Sequence, residues 1–305
     1  MIRVLANDGM DPNAVEELLR NGIEVNTTHY EGEALAEKVQ EYDIMTVRSA
    51  TKVREPLIDK MAESGRMKLL LRGGVGIDNI DVAYAEEKGI QVKNTPLASA
   101  ISVAEATLAH MLSFSRNLHL SNHTMRSGQW NKKQYEGTEL YGKTIGLVGF
   151  GSIAKEVALR AHALGMTVLY TNRSGPKTEF ANYAYVGMDE LLERSDYVSL
   201  HTPSKADHSA LIGKAELDKM KDHAVLLNLA RGDLVDEEAL AEALEQGTIR
   251  GACLDVFHKE PLENATLLQD RISLSPHIGG STKEAQGRIG WELVQHILDF
   301  TKEAK

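Results

Sequence analysis

Cysteine is almost missing from these 305 residues. Cys253 stands alone, so no disulfide can form within the chain and a cysteine-rich metal site is excluded. A basic excess is missing too. Lys and Arg number 34 against 44 Asp and Glu, a net charge of −10, and no basic stripe interrupts it. Such a chain is poorly suited to nucleic acid or an anionic membrane, although cations gathered locally can still hold a small anion. No apolar run is long enough to span a bilayer. The opening MIRVLANDGMDP reads as a strand and a turn rather than a targeting leader. No low-complexity segment occurs. These absences leave a soluble, cytoplasmic protein as the expectation. Hydrophobic residues make up 42% of the chain, enough for two ordinary domains at this length.

What is present is an alternation, twice over. IRVLAN, IEVNTT, DIMTVRS, MKLLLR and IQVKN punctuate the first hundred residues, with helical patterns such as DPNAVEELLRNG between them. A second series starts at TIGLVGFG and runs through TVLYTN, YVSLHTP, AVLLNLARG, GACLDV and ISLSPHIGG. Short apolar runs between amphipathic helices predict parallel α/β layers. Asp11 and Pro12 supply an N-cap and a first-turn proline, and Gly22, Gly65 and Gly89 stand where helices should stop. Between the two series the pattern predicts one long helix from Ile101 to about Met125, followed by the polar loop RSGQWNKKQYEGTELYGK. The tail after Ser281 reads as helix again.

Gly149, Gly151 and Ala154 form G-x-G-x-x-A between the apolar strand TIGLV and a helix. The first glycine permits a tight turn, the second lets the backbone approach a pyrophosphate, and the small third residue allows close helix–strand packing. Helix-terminal N–H groups then face the phosphates. The complete strand–turn–helix–strand context predicts a dinucleotide site. About 20 residues further on, a carboxylate normally binds the ribose 2′-hydroxyl of NAD. Asn172 stands there, followed by Arg173 and Ser174. The missing negative charge, with an arginine beside it, points to NADP(H) over NAD(H) within an NAD(P)(H) site.

Three later segments carry ionisable residues at predicted strand ends, where open α/β sheets bind ligands. They are NLARGDLVDEEAL, GACLDVFHKEPLE and LSPHIGGSTKEAQ, with Arg231, Glu260 and His277. Together with RGGVGIDNID and GFGSIAKEVA, these stretches resemble, in order and spacing, the D-isomer-specific 2-hydroxyacid dehydrogenases. VRSATKV (Val47–Val53), GTELYGKTIGLVGFG and STKEAQGR are similar in particular to the branch that acts on 3-phosphoglycerate.

The resemblance implies an α/β fold of two parallel-sheet domains, Rossmann-like and flavodoxin-like. A nucleotide domain (98–283) would be inserted in a substrate domain (1–97 and 284–305), with a hinge at the two crossings. It implies hydride transfer between the cofactor and C2 of an anionic 2-hydroxy or 2-keto acid. His277 would be the acid–base, Glu260 its partner, and Arg231 the carboxylate anchor. Ser152, Ile153, Thr202, Pro203, Ala230, Asp255, Gly279 and Gly280 would contact the cofactor. Arg72, Gly73, Gly74 and Val75 would cradle the substrate carboxylate. Arg48, Ser49 and Lys52, with Thr51 as a further hydroxyl donor, would receive a substrate phosphate.

The family also implies a homodimer built by the long helix and the loop with Arg126, Trp130, Lys132 and Lys133. A metal is not expected, and His119 and His123, spaced i, i+4, read as a helix-surface pair. The chain stops soon after the returning helix, without a serine-sensing domain, which predicts no feedback inhibition by serine. Two other readings stand beside this one. One is an NADPH-dependent glyoxylate or hydroxypyruvate reductase. The other is a nucleotide-sensing corepressor on the same fold, which retention of Arg231, Glu260 and His277 speaks against.

Overall fold

The computed structural model describes residues 2–178 and 182–303. It divides into two compact units, residues 1–99 with 281–305 and residues 100–280. The first unit contains β1 (Arg3–Ala6), α1 (Pro12–Arg20), β2 (Glu24–Asn26), α2 (Gly32–Lys38), β3 (Ile44–Val47), α3 (Glu55–Glu63), β4 (Leu69–Arg72), α4 (Val82–Glu87) and β5 (Gln91–Asn94). The chain returns to it in its last helix, α11 (Lys283–Glu303). The strands are parallel in the order β2-β1-β3-β4-β5, the flavodoxin arrangement.

Side chains alternate between the two faces of this sheet. Leu5, Met45 and Leu70 pack with Val39, Ile58 and Met61 on one side. Val4, Ile44, Leu69 and Leu71 pack on the other with Leu18 and with Ile289, Leu293, Val294 and Ile297 of α11. The tail helix therefore covers a face that would otherwise lie open. A Cβ on Gly290 would come within 2.9 Å of the Ala14 Cβ, so glycine there sets the close approach of α11 to α1. Asp11 caps α1 by accepting from the amides of Asn13 and Ala14, with Pro12 in the first turn.

The second unit contains α5 (Ala100–Ser115), α6 (Leu118–Arg126), β6 (Thr144–Val148), α7 (Ser152–Ala163), β7 (Thr167–Thr171), β8 (Ala184–Tyr185), α8 (Met188–Arg194), β9 (Tyr197–Leu200), α9 (Lys214–Leu217), β10 (Val225–Asn228), α10 (Glu237–Gln246), β11 (Gly251–Leu254) and β12 (Ile272–Leu274). Its seven parallel strands run β12-β11-β10-β9-β6-β7-β8, the Rossmann order with one further strand.

The single long helix expected over 101–125 is instead two. Asn117 adopts a left-handed backbone (φ 52°), which ends the first and opens the second. The polar loop returns beneath the break. Its Thr138 amide donates to the Ser115 carbonyl at 2.8 Å, an acceptor that an unbroken helix would have used internally. Helical periodicity alone does not register such a kink, because Asn tolerates the left-handed region.

Candidate active site

Strand order reverses between β6 and β9, so the loops after these strands diverge and leave a crevice. Gly149 (φ 93°) lies there, and a Cβ on it would stand 2.4 Å from the His201 carbonyl oxygen. Glycine is thus required by the protein itself. Gly151 differs, since a Cβ there would meet nothing within 4 Å. The space it opens lies at the N-terminus of α7, which no side chain of the described residues caps. Ala154, fully buried, lets α7 sit close to the sheet. Thr202 Oγ1 and Asn172 Nδ2 are buried polar atoms without a partner among the described residues. The Ser174 hydroxyl donates to Asn172 Oδ1 at 3.0 Å, which fixes the amide and leaves its N–H₂ as the unused donor. Arg173 is exposed beside it. Anion-facing helix amides, a glycine-lined cleft and orphaned donors together fit a phosphate-bearing dinucleotide.

His277 and Glu260 come together. His277 Nδ1 and Glu260 Oε2 are 2.7 Å apart, leaving Nε2 on the far side of the ring. The Phe257 amide donates to the other Glu260 oxygen at 3.2 Å. His277 holds a left-handed backbone (φ 53°), which is costly for a residue with a Cβ and needs a cause. Buried Asp255 supplies it. Its carbonyl accepts from the His277 amide at 2.8 Å, and its carboxylate accepts from the Ile278 amide at 2.9 Å and the Gly279 amide at 2.7 Å. The turn 275–279 is wrapped around this one side chain, and half-buried Gly280 follows it.

Arg231 follows β10, and Nδ2 of Asn228, at the end of that strand, donates to the Arg231 carbonyl at 2.8 Å. Oδ1 of the same amide accepts from the Ala230 amide at 3.1 Å. Gly232 is pressed against the loop that leads to Glu260. A Cβ there would lie 1.9 Å from the Phe257 carbonyl oxygen. Asp233 accepts from Ser204 Oγ and bonds His208 Nδ1, each at 2.8 Å, so it tethers the segment that follows Thr202 and Pro203. Sequence reasoning missed Gly232 and Asp233, because their partners lie some 25 residues away in the chain.

In the first unit the strand order reverses between β1 and β3. Asp8 sits there and accepts from the Arg48 amide at 2.7 Å, the Thr51 amide at 3.1 Å and the Thr51 hydroxyl at 2.5 Å. Asn79 donates to the carbonyls of Arg48 and Thr51 at 2.7 and 2.8 Å. The backbone of 48–51 is therefore clamped from both sides. Thr51, expected as a donor to substrate, is buried with its hydroxyl committed to Asp8. Arg48, Ser49 and Lys52 are exposed. The Gly73 amide donates to the Val47 carbonyl at 2.8 Å, which brings the loop Arg72–Gly76 beside this turn. Gly74 (φ 149°) lies under the Arg72 guanidinium, where a Cβ would be 1.5 Å from Nη1. Asn94 holds the same loop through the Val75 carbonyl at 2.5 Å.

Residues 108–279 match the family model described as D-isomer specific 2-hydroxyacid dehydrogenase, NAD binding domain. The chain is 42% identical to a hydroxypyruvate reductase of Thermotoga maritima over 302 residues, 97% of each chain. The chain belongs to the D-isomer specific 2-hydroxyacid dehydrogenases. It is therefore an NAD(P)-dependent oxidoreductase. A D-3-phosphoglycerate dehydrogenase of Methanocaldococcus jannaschii is 40% identical, with 97% of this chain covered but only 57% of that one. Among solved structures, an NADPH-dependent glyoxylate/hydroxypyruvate reductase from Sinorhizobium meliloti, in complex with NADP and malonate, superposes with a TM-score of 0.83. It is 28% identical, over 96% of this chain and 91% of that one. Among the described residues no helix is long and apolar enough to cross a membrane. His119 lies stacked on Phe114, ring centroids 5.7 Å apart, and reaches the Asp270 carbonyl.

Proposed function

We infer that this dehydrogenase interconverts D-3-phosphoglycerate and 3-phosphohydroxypyruvate with NADP(H). One observation carries the substrate. Arg48 and Lys52 are exposed cations on a turn held rigid by Asp8 and Asn79, and among the described residues neither has a carboxylate partner. A phosphate brings about −1.5 to −2 charge, and an acidic protein must offset it locally. The Arg231 guanidinium suits the substrate's carboxylate by its planar fork, whereas the Gly73 and Gly74 amides, expected to cradle it, are taken by the Val47 and Arg72 carbonyls.

A nicotinamide cofactor, when bound, would supply or take up the hydride exchanged at C2. His277 Nε2 takes the C2 hydroxyl proton in oxidation and gives it back in reduction. Glu260, on Nδ1, orients the ring and stabilises its charged form. The Asn172 amide donor, unpaired among the described residues, with Arg173 beside it, supports a 2′-phosphate where a carboxylate would repel one.

The second reading, an NADPH-dependent hydroxypyruvate or glyoxylate reductase, is favoured by the full-length similarity to the Thermotoga protein. One assay separates the two. R48A and K52A are compared on 3-phosphohydroxypyruvate and on hydroxypyruvate, with NADPH and NADH. Charge-assisted phosphate contacts predict a fall in kcat/KM of about 10- to 100-fold on the phosphorylated acid. Little change is expected on the other. Equal losses on both acids would transfer the assignment to the reductase reading, and a preference for NADH would overturn the cofactor assignment.

A further inference from the structure

His110 lies on α5, far in sequence from every residue assigned above, yet its ring is built into the support of the His277 turn. Its Nδ1 is 2.9 Å from the Ser273 hydroxyl oxygen and its Nε2 2.8 Å from that of Ser275. The Ser275 hydroxyl lies 2.5 Å from Asp255 Oδ1. That same carboxylate oxygen accepts from the Ile278 amide.

The directions of these bonds follow from the end of the chain. An ionised carboxylate only accepts, so Ser275 must donate to Asp255. Ser275 then accepts from His110, which puts the ring proton on Nε2. Nδ1 is left as acceptor and takes the Ser273 hydroxyl proton. Each donor points the same way, from Ser273 through His110 and Ser275 to Asp255, an arrangement in which successive bonds polarise one another. The charged group facing the ring is Asp255, with the second imidazole, His119, also near. Burial pushes the His110 imidazole below its ordinary value, which keeps the ring neutral and this one-way chain intact.

A histidine that only fills the core needs no such register. Here both ring nitrogens are used, both partners sit on β12 and the turn after it, and the chain ends on the carboxylate that bends His277 into its left-handed backbone. We propose that His110 is a positioning residue for the proton-transfer turn. By orienting Ser275 it aims the Asp255 carboxylate at the Ile278 and Gly279 amides, and so fixes where the His277 ring stands against Glu260. The inference rests on His277 being the acid–base.

The test is a double-mutant cycle with His110→Leu and Ser275→Ala, alongside His110→Gln, which can donate and accept at similar reach. His110→Leu should lower kcat about tenfold, since a small misplacement of a reacting group is costly. KM for the cofactor should stay near wild type, and the pH profile of kcat should shift. His110→Gln should recover much of the loss. In the Ser275→Ala background, removing His110 should cost little more, because the relay is already cut. A lowered Tm with kcat and its pH profile unchanged would overturn the proposal, as would fully additive losses. His277→Ala serves as the control for the underlying reading. If it keeps its activity the acid–base assignment fails, whereas an inactive His277→Ala beside a normal His110→Leu refutes the positioning role alone.

Discussion

Both units reverse their strand order once, and they fill the resulting crevices in opposite ways. In the second unit the reversal between β6 and β9 is kept open by Gly149 and Gly151, with Thr202 Oγ1 and Asn172 Nδ2 nearby and unpaired among the described residues. In the first unit the reversal between β1 and β3 is occupied by the protein's own anion. The Asp8 carboxylate takes the Arg48 and Thr51 amides and the Thr51 hydroxyl. What would be an anion site in one sheet is a structural clamp in the other, and it turns the cations Arg48 and Lys52 outward. Topology says where a site can lie. Whether it becomes one depends on which polar atoms the protein leaves unsatisfied.

The comparison predicts that damage can be confined. His277→Ala should lower kcat by roughly 10²- to 10⁴-fold, the range of general acid–base catalysis, while NADP(H) binding followed by fluorescence titration stays intact. Glu260→Gln should keep part of the activity and move its pH profile to the acid side, because an amide cannot stabilise an imidazolium as a carboxylate does. If His277→Ala also abolished cofactor binding, the open crevice and the acid–base turn would be one structure rather than two. Next in size is Arg231→Lys. It keeps the charge and loses the fork, so kcat falls and KM rises, together about 100-fold in kcat/KM. Near-normal kinetics would mean that Arg231 does not hold the carboxylate.

Much of this was legible in the sequence, and most of what was not depends on contacts distant in the chain. The G-x-G-x-x-A loop, the Asp11–Pro12 cap and the alternating strands depend on neighbours within a few residues. Local pattern therefore suffices for them, whereas Glu260 and His277, each ambiguous by itself, were singled out by the family resemblance. The commitment of Thr51 to Asp8 spans 43 residues and the bonds of His110 span 163 and 165, so no local pattern announces them. Asn117 hides for a different reason. Its polar side chain suits a helix surface as well as a left-handed break.

The smallest expected effect is the sharpest test of the contrast, because each crevice has its own histidine. His201 follows β9, its ring bonded to Ser199 Oγ at 2.9 Å, and burial pushes its imidazole down to about 4 from the ordinary 6.5. His29 lies by Asp8, Nδ1 at 3.7 Å from its carboxylate, and is raised by bonds to Glu31 and to the Asn7 carbonyl. The signs are opposite. Below pH 6.5 the unfolded chain protonates at His201 while the folded one does not, so stability is lost as the pH falls from 6.5 toward 4. For His29 the folded form binds the proton more tightly, so its contribution is full below the unfolded value and fades as the pH rises through the folded one. Acidification to pH 5 should therefore weaken the second unit by roughly 2 kcal/mol through His201, a few degrees of Tm, and slightly strengthen the first through exposed His29. In thermal melts at pH 7 and pH 5, His201→Gln should reduce the drop in Tm and His29→Gln should enlarge it a little. An unchanged drop in His201→Gln would show that this imidazole protonates in place, and that the second crevice is wetter than its burial implies.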